Sequence, residues 1–279
     1  WDNPALQRAL ALLKGDGAIV VEPGQGALAC EDEGRGRLAE LPDILMTIRR
    51  ALGEPLLRGR ALLITAGPTQ EDVDPVRYLT NRSSGKMGVA LATVAAELGA
   101  SVTLVAGPLT CPFPAGVTVI PVRTAREMAE QVMASLDGAD ALVMAAAVAD
   151  YRPEGPSSVK LKKGQTEGMV LKLEGTTDIL KEVSRRERRP LLVGFAAETG
   201  DPGEEAARKL RQKGLDLVVG NDVRESASGF GRDSIQVCLI DPEGRQDLPP
   251  LSKEDAARVI LKATAALLEA REISEEDNE

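Results

Sequence analysis

The stretch Arg60-Ala61-Leu62-Leu63-Ile64-Thr65-Ala66-Gly67, followed by Gly85-Lys86-Met87-Gly88-Val89-Ala90-Leu91-Ala92-Thr93-Val94-Ala95-Ala96-Glu97-Leu98 and then Val102-Thr103-Leu104-Val105-Ala106, decides the fold. From Ala61 to Ala66 the first run is apolar almost without a break, Thr65 being its one polar residue, which suits a strand covered on both faces. The middle run has helical periodicity and opens after Ser83-Ser84. The third is another short apolar run. A strand, a helix of more than ten residues and a second strand make a βαβ unit, whose two strands lie parallel.

Working outward, the same alternation continues. Strands are expected at Ala61–Ala66, Val102–Ala106, Val117–Val122, Ala141–Ala146, Leu191–Ala196, Leu215–Gly220 and Ile235–Ile240. Helices are expected at Gly85–Leu98, Thr124–Leu136, Asp178–Arg186, Gly203–Gln212 and Ser252–Ala270. The fold class is α/β: a Rossmann-like, mostly parallel sheet with helices on both faces. A Lys-rich segment, Val159–Leu173, interrupts the pattern and reads as a protruding loop or β-ribbon, a flap. Residues 1–52 form a separate block with a helix near Pro4–Leu13, a strand near Ala18–Glu22, a Gly-rich loop and a helix near Pro42–Leu52. The main domain is expected to span 53–272, and the acidic end, 273–279, to be a disordered tail.

Composition narrows the chemistry. The net charge is −9, which argues against a nucleic-acid partner. The chain contains no His. This removes Ser-His-Asp catalysis, His-ligated metals and His proton shuttles together. The three cysteines, Cys30, Cys111 and Cys238, are too scattered for a disulfide framework or a Cys-rich zinc site. No signal peptide and no apolar run long enough for a bilayer is found, so no membrane partner is expected and the cytoplasm is the default location. The chain opens at Trp1 without a Met, as a fragment or processed form does.

In an open α/β sheet, ligands gather at the carboxyl ends of the strands. The unusual peptides fall there: Thr65-Ala66-Gly67-Pro68-Thr69, Ala145-Ala146-Ala147-Val148-Ala149-Asp150, Gly194-Phe195-Ala196-Ala197-Glu198 and Gly220-Asn221-Asp222. Small residues let a ligand approach the backbone closely. Asn81-Arg82-Ser83-Ser84-Gly85-Lys86 brings hydroxyls, cations and a helix start together, a combination suited to a phosphate or carboxylate; an ordinary Ser N-cap is the plainer reading. The segment is not a Walker A loop, and the first strand lacks the Gly-x-Gly-x-x-Gly turn. Lys160, Lys162 and Lys163 suit either a mobile cationic cover or a solvated loop. Thr177 suits a helix N-cap. Glu205, Lys209 and Lys213 share a helical face and read as a surface ion-pair stripe.

Taken together, these peptides resemble the phosphopantothenate–cysteine ligase family. The run from Thr65 to Glu71, Asp74-Pro75-Val76-Arg77 and Asn81 to Gly88 carries most of the likeness. Ala146 to Tyr151, Lys160 to Lys163, Asp178-Ile179-Leu180, Val193 to Thr199 and Asn221-Asp222-Val223 follow in the family's order, so the likeness covers about residues 58–270. The resemblance implies ligation of 4′-phosphopantothenate to L-cysteine with CTP, through an acyl-cytidylate, in coenzyme A biosynthesis. It implies Asn81, Arg77, Ala146, Ala147 and Asp150 as substrate-binding, with Arg77 reaching into the neighbouring subunit of a homodimer. It implies Gly67, Met144, Ala145, Ala146, Asp150, Lys160, Thr177, Asp178, Ile179, Leu180, Phe195, Lys209 and Lys213 as nucleotide-binding. Lys160, Asn81 and Arg77 would carry the catalysis, and Mg²⁺ would ride on the triphosphate without a metal cage of protein side chains. Position 177 is usually Pro in such relatives.

Residues 1–52 resemble the last part of a flavin-dependent phosphopantothenoylcysteine decarboxylase, through Trp1 to Ala5, Pro23 to Cys30 and Gly34 to Arg37. Cys30 matches that family's proton-donating cysteine, while Glu31 stands where Gly is usual. The flavin-binding part is missing, so FMN and decarboxylation are expected to be absent. Two other readings compete: an NAD(P)-dependent Rossmann-type oxidoreductase, opposed by the missing glycine turn, and a non-catalytic fragment.

Overall fold

A computed structural model of the chain describes residues 1–28, 32–162, 169–222 and 234–276. At its centre is an eight-stranded sheet. Its strands are β1 (Ala61–Ala66), β2 (Ser101–Ala106), β3 (Thr118–Pro121), β4 (Ala141–Met144), β5 (Leu191–Glu198), β6 (Leu217–Asp222), β7 (Val237–Ile240) and β8 (Arg245–Asp247). They lie in the order β8-β7-β6-β5-β4-β1-β2-β3. The pairs from β3 through β6 are all parallel. The last two pairings, β6 with β7 and β7 with β8, are antiparallel. The order reverses between β1 and β4, which is the topological switch point of a doubly wound sheet.

The helices are α1 (Pro4–Gly15), α2 (Leu41–Leu52), α3 (Lys86–Glu97), α4 (Ala125–Ala134), α5 (Ile179–Ser184), α6 (Gly203–Lys213) and α7 (Lys253–Glu276). The two-residue period of the strands sorts their side chains between two cores. Leu62, Ile64 and Ala66 of β1 join Leu91, Ala95, Ile260 and Leu261 of α3 and α7 on one face. Leu63, on the other face, joins Met128, Val132, Val183 and Leu210 of α4, α5 and α6. Each fully buried Leu, Ile or Val contributes about 1.5–3 kcal/mol. Local signals set the helix ends. Thr124 and Glu127 form a reciprocal capping box on α4, and Gly214, at φ 59°, closes α6.

Several elements depart from expectation. No strand forms over Ala18–Glu22, which finds no strand partner among the described residues. The Gly-rich stretch behind it instead pairs as a hairpin, Gly24–Ala27 with Glu33–Arg37. Lys14 and Arg35 both hold Glu22. The run Ile235–Ile240 is broken at Gln236: Ser234–Ile235 turns away to pair with Leu251–Ser252. The tail expected to be disordered from Ile273 continues α7 as far as Glu276. There Glu272 pairs with Arg60 and Ser274 Oγ donates to Ala270 O. Among its described residues, the Lys-rich segment is strand-paired only at its base, where Leu173–Gly175 lies antiparallel to Tyr151–Pro153. Its described residues 159–162 and 169–172 form no ribbon. Lys163, Cys30 and Val223 lie outside the described residues.

Candidate active site

The carboxyl ends of β4 and β5 open onto a crevice of 760 Å³, bounded by α5 and α6. One wall is the loop Ala146–Asp150 that follows β4. Its backbone is held from three sides. Ala146 N–H donates to Thr65 Oγ1 at 3.1 Å, Ala147 N–H to Gly67 O at 2.9 Å and Ala149 N–H to Thr69 Oγ1 at 3.0 Å. Thr176 Oγ1 donates to Ala149 O at 2.5 Å. Thr65 and Thr69 are fully buried, so these bonds form in a low-dielectric setting where they rigidify the wall. The amides of Ala146, Ala147 and Ala149 are therefore committed inside the protein. What the small side chains supply is close approach to a fixed surface.

Asn81 leans on the same wall, its Nδ2 donating to Val148 O at 2.9 Å and Ala147 O at 3.5 Å. Both bonds use the amide nitrogen and leave Oδ1 for a donor on a ligand. Arg82 and Asn81 line the crevice, but the helix start behind them does not. Gly85 is the N-cap of α3 at φ 77° and makes no side-chain cap bond. A Cβ at Gly85 would stand 2.2 Å from Leu109 Cδ2, and one at Gly67 2.9 Å from the same atom. Leu109 thus packs against both glycines at this turn, which is why neither tolerates a side chain. The Gly85 and Lys86 N–H groups donate to Ser83 Oγ at 3.3 Å and Ser84 Oγ at 3.5 Å, in line with the plainer Ser-cap reading.

The opposite wall is cationic. Lys209, expected on a surface stripe with Glu205, turns inward instead and donates to Phe195 O. Glu205 pairs with Arg208. Burial, then the nearby charge of Lys213, pushes the Lys209 ammonium below the ordinary lysine range, against the pull of Asp178, Asp150 and Glu198. Lys213 Nζ lies 2.8 Å from Asp178 Oδ2. Asp178, not Thr177, is the N-cap of α5, accepting from Lys181 N–H at 3.2 Å. Burial raises the Asp178 carboxyl, but the bonds from Lys213 and Lys181 N–H outweigh it and leave the group below its usual range.

The structure therefore gathers Asn81, Met144, Ala146, Ala147, Asp150, Thr177, Asp178, Ile179, Leu180, Phe195, Lys209 and Lys213 around one space. Gly67, Ala145, Arg77 and Lys160 are not on its lining. Gly67 sits one layer behind, bonded to Ala147. Ala145 packs against the core on the α3 and α7 side. Lys160 is exposed. Arg77 is held in its own chain by Asp74 and Leu161 O. The crevice also contains Glu198, the end of the Gly194–Glu198 peptide, and Thr176, Arg208 and Gln212, which sequence reasoning did not single out. The faint signal for Arg208 and Gln212 was their four-residue spacing beside Lys209 on one helix. Among the described residues no cluster of three His, Cys, Asp or Glu side chains is arranged to hold a metal ion.

A mostly parallel doubly wound sheet with a rigid small-residue wall facing two lysines makes this an α/β protein with a ligand crevice at the carboxyl edge of its sheet. Residues 57–268 match the DNA/pantothenate metabolism flavoprotein C-terminal domain, and the chain belongs to that family. It is 43% identical over 272 residues to the coenzyme A biosynthesis bifunctional protein CoaBC of Bacillus subtilis (strain 168), spanning 96% of this chain and 67% of that protein. It is similar in structure to the crystallised C-terminal domain of a coenzyme A biosynthesis bifunctional protein CoaBC, with TM-score 0.67 and 41% identity over 78% of this chain and 100% of the other. A mutant of Cab2 in complex with phosphopantothenate-cysteine shares the fold, with TM-score 0.61 at 18% identity over 82% of this chain and 95% of the other.

Proposed function

We propose that this chain ligates 4′-phosphopantothenate to L-cysteine, using CTP, as a step of coenzyme A biosynthesis. The observation that carries the reading is the crevice itself, where Asn81 and the Ala146–Asp150 wall face Lys209 and Lys213, in a member of this family. The first step forms a bond between a pantothenate carboxylate oxygen and the α-phosphorus of CTP, breaks the bond to the β-phosphate and releases pyrophosphate. The second forms the amide bond between the cysteine nitrogen and the acyl carbon, releasing CMP and a proton. Neither step calls for a His.

The chain's own contribution is orientation and charge. Two anions must approach each other, so Lys209 and Lys213 offset repulsion on one side while Asn81 fixes the acyl group on the other. Lys160, exposed on the flap, is assigned to the charge that develops as pyrophosphate leaves. Mg²⁺ belongs to this reading only as a companion of the triphosphate, and no step is assigned to it. No flavin chemistry is assigned to the chain.

A homodimer is part of the proposal. The hairpin Gln70–Asp72 with Tyr78–Thr80 and the flap base expose Val76, Tyr78, Tyr151, Val170 and Leu173. An apolar surface of this kind beside Arg77 suits a second copy of the chain. No helix among the described residues is long and apolar enough to cross a membrane; a cytoplasmic location goes with the same reading. The deciding experiment supplies phosphopantothenate and cysteine with each of CTP, ATP, GTP and UTP and follows pyrophosphate. Release with CTP that depends on phosphopantothenate is the expected result. Release independent of phosphopantothenate, or none with any nucleotide, would remove the proposal.

A further inference from the structure

Asp74 is a buried carboxylate outside the crevice, and its surroundings are unusual. Its side chain has no exposed surface. One oxygen accepts from Val76 N–H and Arg77 N–H, both at 2.8 Å, as in a tight Asx-type turn. The other accepts from Arg77 Nη2 at 2.6 Å and Nε at 3.1 Å, and also from the backbone N–H of Leu161 at 3.0 Å. Leu161 is 87 residues further along the chain and directly follows Lys160. Its carbonyl oxygen in turn accepts from Arg77 Nη2 at 2.5 Å. Both backbone polar groups of one flap residue, Leu161, are thus bracketed by a single ion pair. Ser157 N–H donates to Val73 O at 3.0 Å and begins the same attachment four residues earlier.

A buried carboxylate is stable only when its hydrogen-bonding capacity is filled by charged or backbone donors. Here the flap supplies one of those donors. Detaching the flap from this point would leave Asp74 short of a partner and Arg77 without its carbonyl. The flap is therefore fastened at Leu161, and the freedom of Lys160 is that of one residue beside a fixed peptide.

We propose that Asp74 is a positioning residue that sets where the flap lysine Lys160 stands, acting through the Leu161 peptide and holding Arg77 in the same unit. Its kinetic arm rests on the ligase reading given above; its structural arm does not. Arg77 and Lys160 are then not independent groups. Whatever site they serve, they arrive together from one subunit.

The test uses the full chain with Asp74→Asn, which keeps the shape and loses the charge, and Asp74→Ala as a second variant. Limited trypsin digestion reports docking directly, because Lys160, Lys162 and Lys163 are tryptic sites flanking the bracketed peptide. Mass spectrometry should show cleavage after Lys160 and Lys162 accelerated roughly tenfold in either variant, while cuts in the core stay slow. Unchanged nicking in both variants, with the fold intact by circular dichroism, would overturn the clamp whether or not the chain is a ligase. Kinetically, Asp74→Asn should lower kcat by roughly tenfold to a hundredfold, the scale of a small misplacement, with the dissociation constant for CTP little changed. In a Lys160→Gln background the same substitution should cost clearly less than it does alone, what remains being the part carried by Arg77. A full additional loss in that background would show that Asp74 does not act through Lys160 and would overturn the proposal.

Discussion

Asn81 shows how much one polar side chain can be asked to do. It is exposed, and its amide bonds two carbonyls of the Ala146–Asp150 wall. An exposed amide of this kind contributes about 0.5–1.5 kcal/mol to stability. Asn81→Ala should therefore melt within a few degrees of the parent while ligase turnover falls roughly a hundredfold. A large drop in the melting temperature with proportionate loss of activity would make it a structural residue instead. Gly88 is the opposite kind of position. A Cβ there would lie 2.5 Å from Ala66 Cβ and 2.8 Å from Thr65 O. Gly88→Ala should destabilise the chain by about 1–3 kcal/mol through overpacking, visible as a lowered midpoint in urea, because α3 cannot keep its distance from β1.

At the level of the element, α6 and α2 each carry a burden their sequences half conceal. Helix α6 turns Lys209 into the crevice, where burial and Lys213 lower its pKa. Deprotonation then comes earlier in the folded chain than in the unfolded one, so the unfolded state binds more protons between the folded value and the ordinary lysine range. This site accordingly favours folding more as pH rises through that window. Nucleotide binding has the opposite sign, because it uses the positive form. Affinity for CTP should weaken on the alkaline side before the ordinary lysine range is reached, and Lys209→Met should flatten that limb in a calorimetric titration against pH. An unaltered pH profile in the variant would remove Lys209 from the nucleotide contacts.

Helix α2 exposes Leu41, Leu45, Ile48 and Leu52, yet it is fastened to the main body. Arg49 reaches Glu97 of α3 at 2.9 Å, and Arg258 of α7 reaches the same carboxylate at 2.8 Å. Glu97 is only 4% exposed, whereas the two arginines can rehydrate. Glu97→Ala should therefore cost about 1–2 kcal/mol rather than the larger loss of a fully buried pair. Faster tryptic cleavage at Arg49 and Arg50 would accompany it. Protection at those sites equal to the parent would mean that apolar contacts alone hold α2.

For the whole molecule, the central expectation is a shared site. Mixing an Arg77→Gln chain with an Asn81→Ala chain should restore part of the activity that each lacks alone, because one site in the hybrid dimer would then hold both intact residues. Sedimentation should show a dimer in parallel. A monomer at working concentration, or no recovery in the mixture, would confine the chemistry to single chains. The clamp at Asp74 sharpens this expectation, since Arg77 and the flap of one subunit would travel as a unit.

Much of this molecule is written in local pattern. Nearly unbroken apolar runs such as Leu62–Ala66 and Leu191–Val193 announce strands buried on both faces, and the alternation with amphipathic helices leaves the mostly parallel doubly wound sheet as the natural solution. Two of the four small-residue peptides at strand ends, Ala145–Asp150 and Gly194–Glu198, supply residues of the crevice wall, whereas Gly67 and Gly220 are small because Leu109 and Cys238 pack against them. Local pattern was silent wherever a residue's partner is distant in the chain. Nothing near Lys209 announces that it faces Phe195 O rather than Glu205, and nothing near Asp74 points 87 residues ahead to Leu161. The hairpin at Gly24–Ala27 and the helical turns past Ile273 escaped for the same reason: pairing across strands and docking onto Arg60 are settled by neighbours that only folding brings together. Backbone propensity and burial act over a few residues and can be read from order alone; which polar group meets which across the crevice is a matter of tertiary packing, where a single buried donor or acceptor must find its partner or the arrangement fails.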